Sequence, residues 1–268
     1  MVRDVLNPAY GLLYTELQRV AKSRGFDVIA MTVSEENSVD EQMDALRQLL
    51  GMNVHGFIVS TGDLPSRRLE PLLGRVPILR AGRPEPQRLV HAVSYDEDFA
   101  GETLATWLIE CGHRRIAVIR TRWEISLPEW TRAEAMIRTI RNHGLEPFIV
   151  DVGNDSGEEL ILSLIESRAI TAVMCPTDFR QLHYLTVCAQ RGIGVPGDVS
   201  ISGCDGVIPG MDRMGLTTFQ LPVRALAEEA VNAMLELVER QETPHKRMPM
   251  VSARLRGTLV PGRTVARR

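Results

Sequence analysis

Short apolar runs rich in β-branched residues alternate with stretches of helical periodicity along nearly the whole chain, and this alternation limits the fold more than any other feature. Leu13, Leu17, Val20 and Ala21 share one helical face that Gly25 can end, and Val28 to Thr32 follows as a strand. Ser38 and Glu41 have capping-box spacing, and Val39, Met43, Leu46 and Leu50 continue as an apolar stripe. A strand at His55 to Ser60, a short helix at Leu69 to Leu73 and strands at Val76 to Ala81 and His91 to Tyr95 come next. The spacing then predicts helices over Asp98 to Cys111 and Thr131 to His143, ended by Gly112 and Gly144, with strands over Arg115 to Arg120 and Phe148 to Val152. Ser156 and Glu159 repeat the capping-box spacing before a helix to Arg168. A strand at Ala172 to Pro176, a helix at Asp178 to Arg191 and a strand at Val199 to Cys204 continue the pattern. Pro222 opens a long amphipathic helix through Val238, and extended segments around Met250 to Thr258 finish the chain.

Strict alternation argues for an α/β fold whose parallel sheets are covered on both faces by helices. Eight strands and the closing extended segments exceed the usual size of one compact open sheet, so two doubly wound lobes are the natural reading of 268 residues. No low-complexity linker separates them. The formal charge of −3 and the lack of a dense basic run give this chain no electrostatic case for binding DNA by itself. Cys111, Cys175, Cys188 and Cys204 lack paired spacing and read as buried, reduced thiols of a cytosolic protein. Met1 to Pro8 shows no signal-peptide pattern, no segment approaches membrane-spanning length, and the expectation is a cytoplasmic protein with no membrane partner. Val265 to Arg268 reads as a frayed, solvated tail.

No dinucleotide fingerprint, phosphate-binding loop, nucleophile elbow or zinc-protease pattern is present, so the expectation is a protein that is not an enzyme and implies no cofactor. The histidines have no metal-ligand spacing, and Cys111 and His113 are too isolated for a zinc site or a catalytic pair.

Asp96-Glu97, Ala100-Gly101 and the run Leu108 to Ala117, with its Gly112-His113-Arg114-Arg115-Ile116-Ala117 turn, resemble a signature of the lac/gal repressor family of bacterial transcription regulators. Asn7-Pro8, Val54 to Ile58, Thr171 to Val173 before Thr177-Asp178, and Val195 to Ser200 before Gly203-Cys204-Asp205 match in order, as do Leu216-Thr217-Thr218 before Pro222 and Arg256-Gly257-Thr258. The resemblance covers essentially the whole chain. It implies two similar lobes of periplasmic-binding-protein-like fold with a ligand cleft between them, the first holding residues 1–94 and 221–247 and the second 95–220 and 248–268. It further implies a homodimer that senses a small sugar-like effector by lobe rotation and touches operator DNA only through a helix-turn-helix headpiece, which this chain is expected to lack. The Val39 to Leu50 helix and the Gly206 to Gly215 segment are the expected dimer surfaces. The competing reading is a solute-binding protein of a sugar transport system, which shares the fold.

Ligands of open α/β sheets sit at the carboxyl ends of strands, beside helix N-termini. Arg132 has the spacing to Gly144 of the family's effector-binding arginine, and its guanidinium suits hydroxyls or a carboxylate; the alternative is a surface arginine. Asp205 matches the family's aspartate after its Gly-aromatic pair, with a turn or capping aspartate as the alternative. Asp178 reads as the cap of the helix after it, and Thr177 occupies the position of a ligand-contacting asparagine. Tyr10, Trp123 and Trp130 offer flat apolar walls for a ring, and Phe219 and Gln220 lie at the second crossing between lobes. Gly82 and Leu221 stand where relatives carry an aspartate and a glutamine, and Arg120-Thr121-Arg122 replaces a glycine-rich loop. Lost acceptors and gained arginines point toward an anionic effector, a sugar acid or sugar phosphate.

Overall fold

A computed structural model describes residues 1–3, 5–33, 37–152, 157–241 and 249–268. The elements in chain order are β1 (Val2–Arg3), α1 (Pro8–Ser23), β2 (Thr32–Val33), α2 (Val39–Gly51), β3 (Phe57–Val59), a 3-10 turn (Ser66–Leu72), β4 (Ile78–Ala81) and β5 (His91–Tyr95). There follow α3 (Glu97–Glu110), β6 (Ile116–Thr121), α4 (Leu127–Asn142), β7 (Phe148–Val152), α5 (Glu158–Glu166), β8 (Ala172–Met174) and α6 (Asp178–Gln190). The chain ends with β9 (Ser200–Asp205), α7 (Met211–Met214), β10 (Thr217–Gln220), α8 (Val223–Gln241), β11 (Ser252–Leu255) and β12 (Thr258–Val260). These form two compact units, Met1–Tyr95 with Pro222–Leu255, and Asp96–Leu221 with Arg256–Arg268.

In the first unit β3, β4, β5 and β11 form a parallel sheet in the order β11-β5-β4-β3. A parallel bridge from Val2 to Ser60 joins the β1-β2 pair to its edge. Asn7 caps α1 by accepting the Ala9 N–H at 3.0 Å, with Pro8 in the first turn where its missing N–H costs nothing. The Ser38–Glu41 capping box is formed at the start of α2. That helix buries Met43, Leu46 and Leu49 against Phe57, Val59, Leu69 and Ile78.

Several expectations for this unit change. Of the predicted strand Val28 to Thr32 only Thr32 pairs; Val28, Ile29 and Ala30 instead line an apolar cavity of about 500 Å³ with Leu17, Ala21 and Met234. The short helix begins earlier, at Ser66, as a 3-10 turn, because Pro71 lacks the N–H that an α-helical ladder needs. The third crossing lies after Leu255 rather than after residue 247, because Ser252 to Leu255 pair in parallel with Ala92 to Tyr95 and complete this unit's sheet.

The second unit has a six-stranded sheet in the order β12-β10-β9-β8-β6-β7, parallel except for β12. One face packs Ala117, Ile119, Val173 and Ile201 against Ile161, Ile165, Tyr184 and Cys188. α3 lies directly on α4: a Cβ at Gly101 would stand 2.3 Å from the Arg132 carbonyl oxygen, so only glycine permits the approach. α4 starts at Leu127, four residues before the expected Thr131, with Pro128 in its first turn. The expected cap Ser156 lies outside the described residues. The four cysteines are buried free thiols.

The C-terminal tail is docked, not frayed. Arg268 N donates to Cys111 O at 2.7 Å, Ala266 N donates to Ser200 Oγ at 3.1 Å, and Ala266 O lies 3.1 Å from His113 Nε2. His113 is fully buried and its Nδ1 meets Thr171 Oγ1 at 3.0 Å, a structural use of the Gly-His-Arg-Arg turn. No helix among the described residues is long and apolar enough to cross a membrane.

Candidate functional site

The carboxyl ends of β6, β8 and β9 in the second unit carry a cluster of buried charge. α4 brings in Arg132, 2% exposed, whose Nε donates to Glu97 Oε2 at 2.7 Å and whose Nη1 donates to Pro176 O at 2.5 Å. The same Nη1 lies 3.8 Å from Asp205 Oδ1. Asp205 ends β9 with φ 114°, a backbone region that favours glycine, so its placement rests on what grips its neighbours. Asp178 Oδ2 accepts the Gly206 N–H at 2.7 Å, Gln220 Nε2 donates to Gly206 O at 2.9 Å, and Leu221 N donates to Asp205 O at 2.9 Å. Asp178 Oδ1 also accepts the Thr218 hydroxyl at 2.5 Å. Gly203 makes room for this carboxylate: a Cβ there would stand 2.4 Å from Asp178 Oδ1.

The cluster holds more negative than positive groups. Burial opposes the charge of the Arg132 guanidinium, yet Cys204, Glu97 and Asp205 beside it outweigh burial and hold it well above its ordinary value. Burial pushes Asp205 well above the usual carboxylate range despite Arg132, raises Glu97 in the same way, and lifts Asp178 to about 6. Glu129, which accepts the Thr121 hydroxyl at 2.7 Å, adds to the repulsion on Asp205 and Glu97. Glu97 Oε1 is buried without a hydrogen-bond partner among the described residues. The Asp205 carboxylate has only the long ion pair with Arg132 there, and its side chain is 13% exposed. The arrangement therefore offers unused acceptors beside a fixed cation, which is what a ligand rich in hydroxyl donors requires. Among the described residues no group of His, Cys, Asp and Glu stands ready to hold a metal ion.

The structure gathers Arg132, Asp205, Thr177 and Gln220 at these strand ends. Thr177, not Asp178, caps α6, accepting the Arg180 N–H at 3.2 Å, while the Asp178 carboxylate is buried under Gly206 as a scaffold group. Phe219 is not offered to a ligand: it is 1% exposed and packs edge-on against Phe99 at 6.0 Å. Arg120 is also engaged, with Nε and Nη2 on Asp151 at 2.6 and 3.0 Å and Nη1 on Glu134 at 2.6 Å. The expectation that Arg120 greets an anion thus loses its basis, since both neighbouring carboxylates already neutralise it. Trp123 is 57% exposed in the loop after β6, whereas Trp130 is half-buried on α4. Tyr10 sits on the first turn of α1 in the first unit.

Two residues at this face were not singled out from sequence. Phe179, 72% exposed, follows β8 as Trp123 follows its sheet neighbour β6, so exposed rings stand beyond adjacent strand ends. An aromatic on the first turn after a Thr-Asp pair is the signal that could have found it. Glu97, the partner of Arg132, entered the sequence reading only within the Asp96-Glu97 part of the family signature, with no ligand role.

Residues 105–264 match the family described as periplasmic binding protein-like domain. The HTH-type transcriptional regulator GalR of Salmonella typhimurium is 27% identical over 253 residues, which cover 91% of this chain and 73% of that protein. A LacI transcriptional regulator from a Rhodococcus species superposes with a TM-score of 0.85 at 24% identity, covering 97% of this chain and 95% of that one. A LacI family transcriptional regulator from Enterococcus faecium with bound ribose gives 0.81 at 19% identity, covering 99% and 97%. The chain belongs to the periplasmic binding protein-like domain family and is a core of the lac/gal repressor type.

Proposed function

We propose that this chain senses a small, neutral, hydroxyl-rich effector for a transcription regulator, through Arg132, Asp205 and Glu97 of the second unit. The observation that carries the reading is the buried Arg132 held between Asp205, at 3.8 Å, and Glu97, whose Oε1 has no hydrogen-bond partner among the described residues. Sugar hydroxyls would donate to Asp205 and Glu97 and accept from the remaining Arg132 N–H groups. Trp123 and Phe179 supply exposed rings against which the apolar face of a pyranose or furanose can lie. Ribose in the Enterococcus faecium regulator belongs to the same chemical class. The relatives' names as transcription regulators favour this role over a transport solute-binding protein and over an enzyme.

An effector that binds one state of the chain better shifts the population toward that state. Control of operator DNA would follow in a homodimer whose copies each carry a helix-turn-helix headpiece. The Val39 to Leu50 helix and the Gly206 to Gly215 segment would supply the dimer surface, with Met52 beside the first 55% exposed and Met214 in the second 40% exposed. A thermal-shift screen of neutral pentoses and hexoses tests the reading, because a ligand specific to the native state raises Tm by mass action. At least one sugar should raise Tm by several degrees and lose that effect in Asp205→Asn. A panel with no shift, or a shift untouched by the substitution, contradicts it.

A further inference from the structure

The apolar cavity of the first unit lies toward the amino ends of its strands, away from every ligand group described above. It measures about 500 Å³, inside the range of roughly 300–1,000 Å³ that ligand sites occupy. Leu17 and Ala21 of α1, Met234 and Leu235 of α8 and Leu49 of α2 wall it with side chains. Two of its sides are main chain: residues 28–30 form one and residues 56–58 the other. Asp27, the one acid on the lining, is paired with Lys22 at 2.9 Å, and burial pulls the Met1 amino group down to about 5, so it is uncharged at neutral pH.

β1 runs between those two main-chain segments. On one side Val2 N donates to Met31 O at 3.0 Å, within the parallel register of Val2 with Thr32. On the other, Met1 N donates to Ile58 O and Ser60 N to Met1 O, both at 2.9 Å. The cavity continues this line toward residues that precede both pairings. Val28, Ile29 and Ala30 make no main-chain hydrogen bond to any described residue. Phe57 N donates to Pro77 O at 2.8 Å, across to β4, so strand alternation turns the N–H and C=O of Gly56 and Ile58 the other way, toward the cavity. Met1 takes the Ile58 C=O, which leaves the Ile58 N–H and the Gly56 C=O without a main-chain partner among the described residues.

Main-chain groups left unpaired beside apolar walls are costly, and a strand that pairs with them removes the cost. Phe26 and Ile29, both on the lining, are 38% and 55% exposed, so large apolar side chains also stand open there. A small apolar molecule would cover these side chains and leave the main chain unpaired, whereas a polypeptide satisfies both. The geometry points to a peptide-binding slot, in which an extended, uncharged segment of a partner protein adds a parallel strand between residues 28–30 and 56–58. At about 3.3 Å per residue the segment is about four residues long. Its side chains alternate between the α1–α8 wall and the Leu49 side, which calls for apolar residues at every position. The slot does not rest on the sugar reading of the second unit.

Fluorescence anisotropy with a fluorescein-labelled Gly-Val-Ile-Val-Ile-amide peptide tests it. The unaltered chain should bind this peptide saturably. A control peptide with proline at its second and fourth positions keeps the apolar character but loses two N–H donors, and should bind at least about tenfold more weakly. Ala21→Phe puts a ring into the cavity and should weaken binding of the first peptide by a similar factor, with circular dichroism checking that the variant folds. The two peptides compared on the unaltered chain keep the test decisive even if Ala21→Phe does not fold. No binding of the first peptide, or equal binding of the proline control, overturns the proposal. Indole binding without peptide binding would give the cavity to a small apolar molecule, and dimerisation abolished by Ala21→Phe without peptide binding would give it to a second copy; either overturns it. A sugar-induced rise in Tm that Asp205→Asn removes and Ala21→Phe retains upholds the second unit's role whatever the peptide does, so the two ideas fail separately.

Discussion

Arg132 in the second unit and Arg80 in the first are both almost wholly buried, yet their surroundings differ in sign. Arg132 sits among Glu97 and Asp205, with Glu129 repelling both carboxylates and Asp178 repelling Asp205. Arg80 shares its one close carboxylate, Glu85, with a second guanidinium. The first arrangement raises its arginine above the ordinary value, and the second pulls its arginine down to about 9. Burial is common to both; Cys204, Glu97 and Asp205 surround Arg132, whereas a second guanidinium, Arg83, stands beside Arg80. An excess of acceptors invites hydroxyl donors. Two units of similar architecture thus present different chemistry at equivalent strand ends.

The comparison breaks most sharply on Arg132→Met. Removing this cation leaves Glu97 and Asp205 buried and unpaired, and the expected loss in urea unfolding is about 3–5 kcal/mol. Arg80→Met should cost less, about 1–2 kcal/mol, because Glu85 keeps Arg83 and Ser66 as partners. A loss for Arg80→Met equal to that for Arg132→Met would mean that burial, not compensation, governs both sites.

The acid-rich site also has a pH signature. Asp178 moves from an ordinary 3.8 to about 6 on folding, so between those values the native chain binds more protons than the unfolded one. Its contribution is therefore fully present below about pH 4 and is lost as pH rises toward 6, by roughly 1–3 kcal/mol. Urea midpoints of the unaltered chain and Asp178→Asn across this range should differ by that slope; parallel curves would show that Asp178 titrates normally. The smallest effect is expected at Arg120→Gln. Its ion pairs with Glu134 and Asp151 are partly exposed and should be worth less than about 1 kcal/mol in the same assay.

Much of the scaffold was legible because its signals are local. The capping box at Ser38 and Glu41, the Asn7-Pro8 start and the strand Phe148 to Val152 depend on residues within a few positions of one another. Arg132 and Asp205 were each singled out by resemblance, and they lie 3.8 Å apart. What escaped depends on distant partners. Arg120 looked free because Asp151 and Glu134 lie on β7 and α4, and nothing in its own neighbourhood names them. Phe219 could not be assigned a direction by alternation, since Thr217, Thr218 and Phe219 are all buried in a strand covered on both faces. Arg80 reads as a solvent-facing residue by composition alone, and only the loop carrying Leu64 and Ser66 folds over it. Ser252 to Leu255 carried no local mark of which unit's sheet would take it. Val28 to Ala30 has strand composition but lines a cavity instead, because pairing begins only at Thr32.

The most direct test of the sensing site is a calorimetric titration of the sugar that most stabilises the chain into three proteins: unaltered, Asp205→Asn and Arg120→Gln. The account predicts at least tenfold weaker binding to Asp205→Asn and unchanged binding to Arg120→Gln. The reverse pattern would place the ligand at the edge near β7 and contradict a site built on Arg132 and Asp205.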